Sequence, residues 1–178
     1  MEDLSLHILD IAENSISAGA KRVEIRILED LHKDIFSLEI KDNGRGMTQE
    51  ILKKATDPFY TTRTTRRVGM GLSLLSQSAK EAEGDLSITS REGQGTTVYT
   101  YFKHSHIDRR PLGNIADTLI VLIAGNPDID IFYEHKRNNN TYSIDTKEIK
   151  SELEGIPINS PEVIEIIKKD IQNGLKSL

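Results

Sequence analysis

The sequence predicts an α/β protein, with one layer of helices packed on a mixed, mainly antiparallel sheet. Three observations predict it. Apolar residues recur at helical spacing in some segments and alternate at period two in others. Through residue 103 these segments follow in the order α-β-β-α-loop-α-β-β. The strand pairs are joined by short links rich in turn-forming residues, as in hairpins, and hairpins flanked by amphipathic helices favour helices on one face of a single sheet.

Leu6, Leu9, Ala12 and Ile16 mark a helix over residues 4–17, and Gly19 is placed to end it in a left-handed conformation. Val23, Ile25 and Ile27 alternate, as do Phe36, Leu38 and Ile40, so the two strands form a hairpin around residues 29–34. Asn43, Gly44 and Gly46 break the second strand, and Thr48 can cap a short helix that carries Ile51, Leu52 and Ala55. Residues 57–71, rich in Thr, Arg and Gly, have no clear period and read as a loop. Leu72, Leu75, Ala79 and Ala82 mark the next helix, which Gly84 can end. Leu86, Ile88 and Ser90 alternate up to a turn at residues 92–95. Val98, Thr100 and Phe102 then face one way, with Thr97, Tyr99 and Tyr101 facing the other.

Residues 104–178 form a second section. An apolar helix is expected near 113–124. A hairpin of Ile129, Ile131 and Tyr133 with Tyr142 and Ile144 turns at Asn138-Asn139-Asn140. Asp145 and Glu148 match a capping box before a short helix, and Ser160 and Pro161 open a last helix that Asn173-Gly174 can stop. The expected division is therefore a domain over 1–103 and an α/β extension over 104–178, either extending the first sheet or forming a separate lobe.

Composition narrows the function classes. The 178 residues include no Cys, which removes disulfides, a thiolate nucleophile and cysteine metal sites. The five histidines are scattered, which argues against a dedicated zinc centre. The longest apolar run, Leu119 to Ala124, is too short to cross a bilayer, and the acidic start lacks a signal-peptide pattern, so a cytoplasmic protein with no membrane partner is expected. The formal charge of −5 gives no basic footprint for nucleic acid, and no nucleic-acid partner is expected. One local exception is the run Thr61 to Arg67, with Arg63, Arg66 and Arg67 and no acid, which suits a phosphate ligand or an ordinary solvated loop.

Chemistry concentrates before residue 103. Asp10 and Asn14 lie one helical turn apart on one face. Asn is a poor mid-helix residue. Its carboxamide oxygen can ligate Mg²⁺, and a neighbouring carboxylate can orient or deprotonate a water; an exposed polar stripe is the alternative. Asp42, at a strand end, can accept from an exocyclic amine such as that of adenine. Gly44 and Gly46 would let backbone approach a flat ring, although Asn-Gly is also a common turn. Gly69 and Gly71 precede a helix whose N-terminal N–H groups could hold an anion. Thr96 could reach a ring nitrogen. Neither the phosphate-loop motif nor the dinucleotide-binding glycine spacing is present.

Taken together, these segments resemble the ATP-binding domain shared by DNA gyrase, bacterial histidine kinases and the MutL mismatch-repair protein, the Bergerat or GHKL fold. Glu13 to Ala20 resembles the N box, closest to the MutL branch. Asp42 to Met47 resembles the first glycine box, Asp57 to Thr62 the histidine-kinase F box, Gly69 to Leu72 the second glycine box, and Gly93 to Thr96 the last. The likeness covers residues 6–102. It implies Mg²⁺ held by Asn14, with Asp10 and Asn14 as the catalytic pair. It implies ATP contacts from Asn14, Asp42, Gly44, Gly46, Met47, Thr62, Arg67, Gly69, Met70, Gly71, Leu72 and Thr96. Where relatives carry a glutamate as general base this chain has Asp10, one methylene shorter. Glu13 is turned away from Asn14. His7 reads as a packing or surface residue, and His104 and His106 could cap or bind a partner.

Three functions are consistent with these motifs. The first is an ATP/Mg²⁺-dependent catalytic domain passing the γ-phosphate to a phosphoacceptor protein. The second is a slow ATPase acting as a nucleotide-dependent switch. The third is a non-enzymatic binding module that keeps the fold. The partners expected are an adenine nucleotide, a protein, and a second copy in a homodimer.

Overall fold

The computed structural model describes residues 3–55 and 71–178. The first helix, α1 (Leu4–Ser17), is capped by the Asp3 side chain, which accepts from the Leu6 N–H. It ends as the position of Gly19 requires. Gly19 N–H donates to Ile16 O at 2.9 Å and Ala20 N–H to Ser15 O at 3.2 Å, with Gly19 at φ +81°, so the last carbonyls are satisfied. Strands β1 (Arg22–Asp30) and β2 (Ile35–Asp42) form the expected hairpin. The short α2 (Gln49–Lys54) starts with Thr48 accepting from Ile51 N–H. Next come α3 (Gly71–Glu81) and the hairpin of β3 (Asp85–Arg91) and β4 (Gly95–Lys103). The second section consists of α4 (Ile115–Gly125), the hairpin β5 (Asp130–Arg137) and β6 (Asn140–Asp145), α5 (Thr146–Glu152) and α6 (Pro161–Lys176).

The six strands among the described residues belong to one sheet in the order β3-β4-β2-β1-β5-β6. Every neighbouring pair is antiparallel except β1 and β5, which run parallel. A parallel neighbour needs a crossover connection, and α4 lies on that connection. Between the two arrangements the sequence leaves open, the strands of the second section extend the first sheet.

The helix-facing side is the apolar core. Val23, Ile25 and Ile27 of β1, Phe36, Leu38 and Ile40 of β2, Val98 and Phe102 of β4, and Ile131 and Tyr133 of β5 are buried with Leu4, Ile8, Ile11, Leu75, Leu119 and Ile171. The opposite side carries charge. Arg22 pairs with Glu24 at 3.0 Å, Arg26 with Glu24 at 2.7 Å, and Arg22 forks onto Asp145 at 3.2 and 2.8 Å. Both guanidinium groups lie over the Phe132 ring, 5.7 and 5.1 Å from its centre, so β1 grips the added strands through ion pairs and cation–π contacts.

One helix ends where the sequence expects and one runs past its expected stop. The chain reverses after α3 at Glu83 (φ +55°), and Gly84 is needed because the Tyr101 carbonyl occupies the place of a Cβ. Gly174 does not stop α6, which continues to Lys176; the Tyr142 ring fills the space where its Cβ would be. Close packing explains why both positions are glycine, and Gly84 N–H also closes α3 by donating to Ala79 O at 2.7 Å.

Candidate functional site

The Asp42 end of β2 meets the end of α1 and the β3–β4 turn. Segment 42–47 is pinned from three sides. Arg45 N–H donates to Ala18 O at 2.9 Å, and Gly93 N–H donates to Arg45 O at 2.6 Å. Asn43 Oδ1 accepts from the N–H groups of Lys21 and Arg22 at 2.8 and 2.9 Å. The Asn-Gly pair is therefore a turn whose side chain also fixes the start of β1.

Asp42 is buried, 8% exposed, and its carboxylate is held by three donors. Ser15 Oγ donates to Oδ2 at 2.7 Å, while the N–H groups of Gly44 and Thr96 donate to Oδ1 at 2.8 and 3.3 Å. A carboxylate offers about four lone-pair directions, so the hydrogen bonds from the described residues leave one direction at Oδ2 for a ligand donor. Thr96 Oγ1 lies 2.8 Å from Ser90 Oγ, which also accepts from Met47 N–H at 2.8 Å and reaches Gly95 O at 3.0 Å. Asp42, Gly44, Met47 and Thr96 are thus joined in one hydrogen-bonded network.

Gly44 and Gly46 also serve the packing of the backbone around Asp42. A Cβ on Gly44 would stand 2.9 Å from the Ala18 carbonyl, and one on Gly46 would run into the Arg91 carbonyl. Gly46 (φ +68°) and Gly95 (φ +95°) both adopt left-handed backbone, and Gly95 packs directly on the Asp42 carbonyl. These glycines let three backbone segments meet at the Asp42 carboxylate.

Asp10 and Asn14 are both half-buried on α1, and Glu13 is exposed. Asp10 lies against Gly71, the first residue of α3, whose missing Cβ leaves the space taken by the Asp10 carboxylate. His7, one turn earlier, is buried with its ring facing the Gly71 backbone; burial lowers its pKa from 6.5 to about 4, so the ring is neutral at pH 7. His7 is thus a packing residue. Leu72 is half-buried against the core. Thr62, Arg67, Gly69 and Met70 lie outside the described residues, as does the segment compared with the F box.

The donor set suits Mg²⁺. Asn14 offers a hard oxygen one turn from the Asp10 carboxylate, and no group of three or more His, Asp or Glu arranged to hold a metal ion occurs among the described residues. A cation that keeps waters and substrate phosphates as most of its ligands needs few protein ligands.

Two site residues escaped the sequence reading: Ser15 and Ser90, 5% and 4% exposed. Each had a detectable signal. Ser90 follows Leu86 and Ile88 on the inward side of β3, and Ser15 falls on the buried face of α1, so each puts a hydroxyl at an apolar position. A buried hydroxyl calls for a partner.

A family model described as histidine kinase-, DNA gyrase B-, and HSP90-like ATPase matches residues 2–106. Similar proteins include a putative sensor protein of Shewanella frigidimarina, 36% identical over 98 residues, which cover 53% of this chain and 15% of that protein. Sporulation kinase E of Bacillus subtilis is 36% identical over 92 residues (51% and 12%). A putative NtrY-like sensor histidine kinase of Rickettsia conorii is 30% identical over 108 residues (61% and 18%). The chain spans less than a fifth of the length of these relatives. A crystal structure of the N-terminal domain of a DNA repair protein matches with a TM-score of 0.56 at 19% identity, covering 81% of this chain and 52% of that one. At that identity the likeness is one of fold, and it extends past residue 106, where the family match ends. The chain belongs to the histidine kinase-, DNA gyrase B- and HSP90-like ATPase family, through an ATP-binding domain of the histidine kinase type.

Proposed function

We propose that this chain binds ATP with Mg²⁺ and passes the γ-phosphate to a side chain of a partner protein. The observation that carries the proposal is the Asp42 carboxylate: buried, fixed by Ser15, Gly44 and Thr96, with one acceptor direction unused among the described residues. A buried acceptor aimed by three donors is suited to an exocyclic amine and unsuited to a carbonyl. Asn14 would supply oxygen to Mg²⁺, which supplies charge neutralisation at the phosphates when bound. The acceptor oxygen or nitrogen would form a bond to the γ-phosphorus as the bond to the β–γ bridging oxygen breaks, with ADP leaving. Asp10, half-buried beside Gly71, is the carboxylate that would take the acceptor's proton.

A second reading, a slow ATPase whose nucleotide state governs partner binding, draws on the contact between Asp10 and Gly71, which ties α1 to the start of α3. A shift of α3 on nucleotide binding would then be felt at Asp10. The discriminating experiment incubates the protein with γ-labelled ATP and cell extract. Label on a protein supports transfer; free phosphate without labelled protein supports hydrolysis. Failure of ATP to bind in a calorimetric titration overturns both.

A further inference from the structure

The hydroxyl pair beside Asp42 bears on which purine the site accepts, a role that rests on the proposed binding of a nucleotide there. Ser90 has one proton and two lone pairs. One lone pair is taken by Met47 N–H, so the proton goes either to Gly95 O at 3.0 Å or to Thr96 Oγ1 at 2.8 Å. The two choices have opposite consequences. When Ser90 donates to Thr96, the Thr96 proton is free and Thr96 presents a donor to a ligand. When Ser90 donates to Gly95 O, Thr96 donates to Ser90 and presents a lone pair instead.

We propose that Ser90 and Thr96 form a reversible hydroxyl pair that matches either state of purine N1. The substituent at purine carbon 6 is then read by Asp42 Oδ2 alone. Adenine has an acceptor at N1 and an amine at carbon 6; hypoxanthine has N–H at N1 and a carbonyl at carbon 6. The relay accommodates both N1 patterns at the same oxygen position, without moving backbone. Asp42 Oδ2 cannot, because an ionised carboxylate has no proton to give.

The surroundings of Asp42 make this selection convertible. Oδ1 is held by two backbone N–H groups, those of Gly44 and Thr96, which accept nothing. In Asp42→Asn those groups therefore hold the amide oxygen at the Oδ1 position and put the NH₂ where Oδ2 was. One N–H can be taken by Ser15 Oγ, which is free to reverse its role, and the other faces the ligand. The isosteric change turns an acceptor into a donor at the one atom that reads carbon 6, and the Ser90–Thr96 pair supplies the matching N1 contact.

The test is calorimetric titration of the full chain with ATP and with inosine triphosphate, alongside thermal melting to verify folding. Asp42→Asn should raise the inosine-to-adenosine affinity ratio by tenfold or more. Adding Ser90→Ala should lower inosine triphosphate affinity by about tenfold, because Thr96 loses the neighbour that accepts its proton. Ser90→Thr, which keeps the hydroxyl, should restore it. A purely structural Ser90 would change both nucleotides alike. Should Ser90→Ala not fold, Ser90→Gly in the Asp42→Asn background removes the same hydroxyl and carries the same expectation. An unchanged ratio in folded Asp42→Asn, or equal losses of both nucleotides on removing the Ser90 hydroxyl, overturns the inference while leaving the assignment of ATP binding intact. Absence of ATP binding to the unsubstituted protein overturns the assignment of a nucleotide site, and this inference with it.

Discussion

The same strands carry a polar cluster at each end, and the two clusters are built on opposite principles. At one end lies Asp42 with Ser15, Ser90 and Thr96. At the other, Glu29 of β1 bridges two histidines: its Oε2 is 2.8 Å from His104 Nε2 and its Oε1 is 2.8 Å from His135 Nε2. Tyr133 Oη lies 3.0 Å from His135 Nδ1, which completes the partners of that ring. The Glu29 cluster satisfies itself, and it joins the end of β4 to β5, so it works as a clasp between the family-matched region and the added strands. Among the described residues, the Asp42 cluster leaves one acceptor direction at Oδ2 unfilled. A buried polar cluster with every group matched rigidifies a fold; one with capacity left over is prepared for a ligand.

The largest effect expected from breaking this contrast is on ATP affinity. Asp42→Asn should weaken ATP binding by roughly 100-fold, the size of a lost hydrogen bond to a charged group plus an opposed donor. A calorimetric titration checks it, and a loss below threefold would remove Asp42 from the binding site. Asn14→Ala should weaken binding of Mg-ATP more than that of ATP alone, read by titrating with and without the metal; equal losses would dissociate Asn14 from the metal.

At the far end the expected change is in stability and not in binding. Glu29→Gln should lower the unfolding free energy by about 1–3 kcal/mol, since it leaves buried imidazole nitrogens poorly matched. ATP affinity should stay within twofold, and urea denaturation with parallel titration distinguishes the two. Equal stability would make the clasp decorative.

Acid should separate two groups in pH. His7 has its pKa lowered by burial from 6.5 to about 4, so the unfolded chain takes up that proton first and stability falls from about pH 6.5 towards 4. Glu29 is held down at about 2 by its hydrogen bonds to His135 and His104, against the opposing effect of burial. Its ionised form contributes fully above its unfolded value of 4.5, and the contribution is lost as pH falls through about 2. Urea midpoints measured across pH should lose the upper limb in His7→Gln and the lower limb in Glu29→Gln. The smallest effect expected is at Gly174→Ala, which presses a methyl on the Tyr142 ring and should cost about 1 kcal/mol in thermal stability without touching either cluster.

Local chemistry in the chain determines much of this protein. Period-two runs gave β1 to β4 their inward faces, Gly19 marked the end of α1, and Thr48 and Asp145 marked helix starts, because each depends on neighbours within a few residues. The glycine-rich segments and the Asn14 helix were legible as a set for the same reason. Tertiary structure alone decided the rest. Nothing in residues 130–145 says that their strands join the first sheet beside β1, since a parallel register depends on partners about a hundred positions away. Glu29, His104 and His135 meet only because β1, β4 and β5 share that sheet, and Ser90 acquires its three partners only when the turn at Gly95 packs on Asp42. Short-range preferences are written into adjacent side chains, whereas the pairing of distant polar groups is fixed by how the buried faces stack.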